Sequence, residues 1–127
     1  MKVCIIIPVF NEQDFIKKSV ESLIDQTIKP AEVIYVNDNS TDNSKNIIKN
    51  LIGNCEWIRV IDHKSVQEHV PGSKVIEAFN FGLKNLETQF DIICKFDGDI
   101  ILPKNYIEKI IEIFNEKEKV GIAGGNL

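Results

Sequence analysis

The sequence lacks any apolar run approaching the roughly 20 residues that a membrane-spanning helix needs, so the chain is predicted to be soluble. It also lacks a basic excess. Lys and Arg number 15 against 19 Asp and Glu, and the net charge of −4 argues against a general affinity for nucleic acid or anionic lipid. A small or neutral partner is therefore favoured, and any anionic ligand needs local cations or a metal ion.

Cysteine and histidine are too sparse for a disulfide framework or a zinc site. The three cysteines have no CxxC spacing, and reduced thiols in a cytosolic protein are the expected state. His63 and His69 have no Cys or His partners at ligand spacing and are expected to be polar loop residues. Cytoplasmic localisation follows as an expectation, with a longer parent protein reaching the inner face of the membrane.

Several short catalytic motifs are also missing. There is no GxSxG nucleophile elbow, no GxGxxG and no GxxxxGK[ST], which argues against serine hydrolases, dinucleotide oxidoreductases and P-loop enzymes. The chain has 127 residues, of which 43% are hydrophobic, a size and balance that suit one domain over residues 1–127.

What the sequence does contain is an alternation of β-branched runs with segments of helical period. This alternation predicts an α/β fold, with a Rossmann-like, mostly parallel sheet flanked by helices on both faces. Helices are predicted from the apolar stripe that starts at Ile16, from the capping residues Ser40 to Asp42, after Gly72 and from Pro103. The predicted strands are residues 3–8, 32–37, 57–61, 92–96 and 120–123, and residues 62–72 are predicted to be loop.

Asp97-Gly98-Asp99 follows a predicted buried strand, and ligands of open α/β sheets bind at the carboxyl ends of strands. Two carboxylates so close together repel each other unless a cation neutralises them. Oxygen ligands suit Mg²⁺ or Mn²⁺, and Gly98 allows the backbone to approach a ligand closely. The alternative reading is an ordinary acidic turn, because short motifs recur by chance.

Other polar residues stand at the ends of the first two strands and at the third helix. Asp38 ends the second strand, where its carboxylate can accept a hydrogen bond from a bound base or serve as a turn residue. Taken alone, the segment from Pro8 to Glu12 is better explained by structure, as a strand end followed by a helix start. Lys74 begins a helix, where it can hold a phosphate together with free backbone N–H groups or be an ordinary surface lysine.

Taken in order, these segments resemble the family 2 inverting glycosyltransferases of the GT-A fold. Residues 5–12 (IIIPVFNE) are similar to the opening of that family, and a helix ending in Gln26-Thr27 follows. Residues 36–42 (VNDNSTD) resemble its acidic second-strand motif, and residues 96–99 (FDGD) resemble its DxD motif. The resemblance covers the whole chain and implies the nucleotide-sugar-binding half of a transferase of cell wall or polysaccharide biosynthesis.

The resemblance also implies roles for individual residues. Asp38 is expected to bind the base, usually uracil in this family, and Asp99 to ligate Mn²⁺ or Mg²⁺ at the diphosphate. Asp97 lies near the ribose or reaches the metal through water, and Lys74 matches a lysine that some branches use at the diphosphate. Many members carry Arg where this chain has Phe79. The residues expected to line the nucleotide pocket are Pro8, Phe10, Asn11 and Glu12.

The donor implied by the resemblance is a UDP-sugar and the acceptor a sugar or a lipid-linked sugar. No catalytic base is identified, because Glu108, Glu112 and Glu116 fall on an amphipathic helix as solvent-facing charges. The chain is accordingly expected to be a fragment that lacks the acceptor half and does not turn over alone. Two alternatives stay open: a non-catalytic nucleotide-sugar-binding module and a metal-dependent phosphoryl or nucleotidyl transferase.

Overall fold

The computed structural model describes residues 1–65 and 73–116, and within these ranges strands and helices alternate strictly. No helix in this part is long and apolar enough to cross a membrane. The strands are β1 (Val3–Val9), β2 (Glu32–Asp38), β3 (Ile58–His63) and β4 (Ile92–Lys95). The helices are α1 (Ile16–Ile24), α2 (Ser44–Ile52), α3 (Ser73–Lys84) and α4 (Tyr106–Glu116).

The strands form one parallel sheet in the order β3-β2-β1-β4. β1 lies between β2 and β4, with Ile5 opposite Val33 on one side and Cys94 on the other. Because parallel strands all end at the same edge, the polar residues that follow β1, β2 and β4 meet there. The predicted parallel α/β architecture is confirmed.

Helices cover both faces of the sheet, as predicted, because β1 and β2 are apolar on both sides. Ile5 and Ile7 of β1 pack with α1, α2 and α4, whereas Ile6 of the same strand faces α3. All three isoleucines are at most 1% exposed. A strand with alternate residues in two different cores cannot slip by one position without moving every side chain to the wrong face.

The packing of α3 on the sheet depends on Gly82. A Cβ atom at this position would lie 2.7 Å from Cγ2 of Ile6 and 2.9 Å from Cγ2 of Val36. Both neighbours are β-branched and fully buried, so they have no room to move aside. The absence of a side chain at Gly82 therefore sets how closely α3, which carries Lys74, approaches the sheet.

Some boundaries differ from the sequence prediction. β3 continues through Asp62 and His63, which were predicted to be loop, because both pair with β2. α2 begins at Ser44 rather than near Ser40. Of the predicted capping residues, Asp42 accepts the N–H of Ser44 through Oδ1 at 2.9 Å, whereas Ser40 Oγ accepts the N–H of Asn11 in the loop after β1. α4 begins at Tyr106, after a turn that follows Pro103. The predicted strand at 120–123 and His69 lie outside the described residues.

Candidate functional site

A cavity of about 380 Å³ opens at the carboxyl ends of β1, β2 and β4, beside the first turn of α3. Its volume is in the range of small-molecule sites, roughly 300–1,000 Å³. It combines apolar walls with acidic residues and one lysine. The lining residues are Pro8, Val9, Phe10, Glu12, Asp38, Asn39, Lys74, Val75, Ala78, Asp97, Gly98 and Asp99.

The structure brings together most of the residues that the sequence singled out. Of the eight predicted site residues, those that line this one cavity are Pro8, Phe10, Glu12, Asp38, Lys74, Asp97 and Asp99. Asn11 is not in the lining, although it follows Phe10, which is. The cavity thus joins four separate segments of the chain, whereas the roles of the individual residues stay predictions.

Asn11 connects the loop after β1 to the loop after β2. Its Oδ1 accepts hydrogen bonds from the backbone N–H of Thr41 at 2.8 Å and of Asp42 at 3.3 Å, and its own N–H donates to Ser40 Oγ at 3.1 Å. Asn11 has φ 51°, a left-handed conformation that Asn tolerates better than most residues. These contacts fix the loop that follows Phe10 against the loop that follows Asp38.

Asp38 lies at the end of β2 and is 7% exposed, although it borders the cavity. Ser65 donates to both of its oxygens, from the backbone N–H to Oδ1 at 2.9 Å and from Oγ to Oδ2 at 2.6 Å. Asn39 Nδ2 donates to Oδ1 at 3.2 Å, and His63 Nδ1 lies 3.8 Å from the same oxygen. These bonds give both oxygens of this buried carboxylate hydrogen-bond partners.

Sequence reasoning missed Ser65. It stands in a polar stretch without periodicity, and its partner lies 27 residues away, so no local signal distinguished it. The pairing of Asp38 with His63 in the β2–β3 register brings Ser65 beside this carboxylate. Only the correct end of β3, two residues later than predicted, would have indicated the contact.

The opposite part of the cavity is acidic. Burial raises the pKa of the Glu12 carboxyl, and the charges of Asp99, Asp97 and Asp42 raise it further. Gly98 packs against Glu12, since a Cβ there would lie 3.1 Å from Glu12 Cγ. The backbone of the Asp97-Gly98-Asp99 turn therefore comes close to the loop after β1, and negative charge accumulates between them.

The donor set is compatible with a hard divalent cation. Asp97 and Asp99 border one cavity and supply carboxylate oxygens, the ligands that Mg²⁺ and Mn²⁺ prefer. Within the part of the chain that the structure describes, no three His, Cys, Asp or Glu side chains are arranged to hold a metal by themselves. One or two carboxylates completed by ligand phosphates and water is the usual arrangement for Mg²⁺, so these residues fit a metal bound together with a phosphate ligand.

Lys74 lies in the first turn of α3 and is the one basic residue among the described residues that line the cavity. Its side chain is exposed. A lysine at a helix N-terminus adds its charge to the partial positive charge of the helix end. This arrangement is unfavourable for an ordinary surface residue and favourable beside an anion.

Gln26, in the turn that ends α1, forms hydrogen bonds with the segment that follows Asp99. Gln26 is 2% exposed, and its Nε2 donates to the carbonyl of Pro103 at 2.6 Å. Its Oε1 accepts the N–H of Ile107 at 3.0 Å. One buried amide therefore connects α1, the chain after Asp99 and the first turn of α4.

Residues 4–126 match the family model described as "Glycosyl transferase family 2". The chain belongs to the family 2 glycosyltransferases. The GT-A fold and the resemblance noted in the sequence are thereby confirmed, and they agree with the parallel sheet and the cavity at its carboxyl edge.

Two relatives and one solved structure illustrate the likeness. The chain is 30% identical to glycosyltransferase GlyA of Streptococcus pneumoniae over 125 residues, which is 98% of the chain and 16% of GlyA. It is 30% identical to the minor teichoic acid biosynthesis protein GgaA of Bacillus subtilis, covering 94% of the chain and 26% of GgaA. S. aureus TarS 1–349 in complex with UDP superposes with a TM-score of 0.72 and 26% identity, over 91% of the chain and 32% of TarS 1–349. The chain thus spans between 16% and 32% of the length of these three proteins.

Proposed function

We propose that the cavity binds the nucleoside diphosphate part of a nucleotide-sugar, with UDP-sugars as the first candidates. The observation that carries this proposal is that a buried carboxylate fixed by hydrogen bonds, that of Asp38, borders the same cavity as a lysine and two further carboxylates. The lysine is Lys74, and the carboxylates are those of Asp97 and Asp99. A nucleoside diphosphate needs both kinds of contact at once. The likeness to TarS, which was solved with UDP, supports uracil as the base.

In this proposal Asp97 and Asp99 hold Mn²⁺ or Mg²⁺. When bound, such an ion neutralises the negative charge that develops on a departing nucleoside diphosphate. Lys74 and the N-terminal end of α3 bind the diphosphate from the other side. Asp38 orients the base, and Phe10 borders the same cavity with a side chain that is 60% exposed. The lining residues therefore divide into a base end and a phosphate end.

The reaction proposed for the whole protein is inverting transfer of the sugar to an acceptor, a sugar or a lipid-linked sugar. Membership in family 2 favours sugar transfer over phosphoryl or nucleotidyl transfer. No residue of the described part is assigned as the base that activates the acceptor. We therefore expect donor binding rather than turnover from the 127-residue chain, and binding is the property to measure.

Calorimetry with UDP, in the presence and absence of Mn²⁺, tests the proposal. Asp99→Asn is expected to weaken UDP binding in Mn²⁺ by at least about tenfold, equivalent to ~1.4 kcal/mol, and to remove the effect of the metal. Asp91→Asn is the matched control, because Asp91 is an exposed carboxylate at the other end of β4. If the unmodified chain bound no nucleoside diphosphate, the donor site would have to be abandoned. If it bound UDP and Asp99→Asn changed nothing, Asp99 would be removed from the metal site.

A further inference from the structure

The two hydrogen bonds that Ser65 donates to Asp38 limit what else that carboxylate can bind. The two donors of Ser65 belong to a single residue and contact different oxygens, at 2.9 Å and 2.6 Å. They therefore occupy the outer edge of the carboxylate, where one lone pair of Oδ1 and one of Oδ2 point in the same direction. Planar ligands with two parallel N–H groups use this edge when they bind a carboxylate in bidentate fashion. At Asp38 the edge is taken by the protein itself.

The remaining acceptor capacity is concentrated on one oxygen. Asn39 Nδ2 adds a second hydrogen bond to Oδ1, and His63 Nδ1 lies 3.8 Å from that oxygen. The imidazole of His63 is held in place by Phe81, with ring centroids 4.5 Å apart. A carboxylate has about four lone-pair positions on its two oxygens. Once Ser65 and Asn39 are counted, Oδ2 retains room for one donor from a ligand.

Bases differ in how many donors they offer to such a group. Uracil has a single ring N–H between two carbonyl groups, so one open acceptor position is sufficient. Guanine offers a ring N–H and an amino group side by side, and it loses one of the two bonds if the shared edge is closed. Cytosine has an acceptor nitrogen where uracil has its N–H, so two lone pairs would face each other.

We propose that Ser65 is a specificity-determining residue that restricts Asp38 to a single ligand donor and thereby selects a uracil-type base over guanine. The inference rests on the proposed donor site. It assigns the choice of base to a residue that acts through Asp38 rather than by direct contact. A buried acceptor or donor without a partner is costly, which is why a mismatch in hydrogen-bond number is sufficient to discriminate.

The test is a comparison of dissociation constants for UDP, GDP and CDP by calorimetry, with Mn²⁺ present, for the unmodified chain, Ser65→Ala and Ser65→Thr. The unmodified chain is expected to prefer UDP over GDP by at least about tenfold. Ser65→Ala removes the bond to Oδ2 and frees the carboxylate to turn, so this preference should fall at least about tenfold. Ser65→Thr keeps the hydroxyl and should keep the preference. Thermal unfolding of each variant shows whether it is folded. The ratio of the UDP and GDP dissociation constants is compared with that of the unmodified chain, because a loss of folding weakens both nucleotides alike.

The outcomes distinguish this inference from the donor site on which it rests. If the unmodified chain bound none of the three nucleotides, both the donor site and the role of Ser65 would be refuted. If it bound UDP and GDP equally, or if a folded Ser65→Ala chain kept the full preference, the donor site would stand and Ser65 would not determine specificity. A preference lost in Ser65→Ala and retained in Ser65→Thr supports the inference.

Discussion

Asn11 Oδ1 accepts the backbone N–H of Thr41 at 2.8 Å, across 30 residues of sequence. This bond joins the loops that follow β1 and β2, and Phe10 and Asp38, where these loops begin, border the same cavity. Asn11 itself does not line that cavity. Its contribution to ligand binding is therefore expected to be one of position, exerted through the residues on either side of the joined loops.

Asn11 can be tested with two substitutions that separate its side chain from its backbone. Asn11→Gly removes the hydrogen bonds that Oδ1 accepts but tolerates φ 51°, whereas Asn11→Ala removes the same bonds and adds strain of roughly 1–2 kcal/mol. Both variants should weaken UDP binding, and Asn11→Ala should have the lower free energy of unfolding in urea. Equal stability of the two variants, or UDP affinity unchanged in both, would contradict the positioning role.

Lys74→Ala tests the phosphate end of the cavity. The substitution should weaken UDP about tenfold and uridine much less, because a charge-assisted contact to phosphate contributes roughly 1.5–3 kcal/mol. Lys84→Ala is the matched control, since Lys84 is an exposed lysine at the opposite end of α3. Calorimetry with both ligands gives the comparison, and equal weakening of UDP and uridine would remove Lys74 from the diphosphate site.

Gly82→Ala tests whether close packing of α3 supports the site. The added Cβ would overlap Ile6 and Val36, so we expect the free energy of unfolding to fall by about 1–3 kcal/mol and UDP binding to weaken. Gly53→Ala provides a contrast, because Gly53 has φ 45° and no atom within 4 Å of the added Cβ. It should destabilise the chain through backbone strain and leave UDP affinity unchanged. Loss of affinity in both variants would mean that the binding defect reflects stability alone.

The lowered pKa of Glu32 leads to a prediction of how the free energy of unfolding depends on pH. Burial by itself raises the pKa of Glu32, but hydrogen bonds from Thr88, Glu87 and Arg59 outweigh burial and lower the pKa below its ordinary value of 4.5. A lowered pKa in the folded chain contributes stability above the unfolded value, and this stability is lost as the pH falls through the folded pKa.

The variant Glu32→Gln should therefore be less stable than the unmodified chain at neutral pH, and the difference should shrink in acid. Urea unfolding of both chains at a series of pH values checks this. A difference that stays constant from neutral pH to well below 4.5 would show that the charge of Glu32 is not the source of its contribution.

The sheet and most of the cavity lining could be predicted because buried parallel strands require continuous apolar runs in the sequence. The predicted ends of β1, β2 and β4 lie within two residues of the observed ends. The polar residues that follow these strands in the sequence must lie at the carboxyl edge of the sheet. Asp38 and Asp99 could thus be assigned to one site although they stand far apart in the chain.

What could not be predicted depends on hydrogen bonds between distant loops. Ser40 to Asp42 are predicted as helix caps, and Asp42 does accept the N–H of Ser44 at the start of α2. Ser40 Oγ instead accepts the N–H of Asn11, in a loop that is distant in sequence. Hydroxyl and amide side chains serve either purpose equally well, and sequence spacing does not distinguish a local partner from a distant one. The same ambiguity concealed Ser65, whose partner Asp38 belongs to a neighbouring strand.

The most direct test of the central claim is to map UDP and Mn²⁺ on the isotopically labelled chain by NMR. UDP is expected to shift the amide signals of Asp38, Phe10 and Val75, and Mn²⁺ added with UDP is expected to broaden those of Gly98 and Asp99 first. A second surface hollow, bordered by Lys18, Ile101 and Lys104, provides an internal comparison. Shifts and broadening confined to that hollow, or absent from the cavity at the ends of β1, β2 and β4, would contradict the proposed donor site.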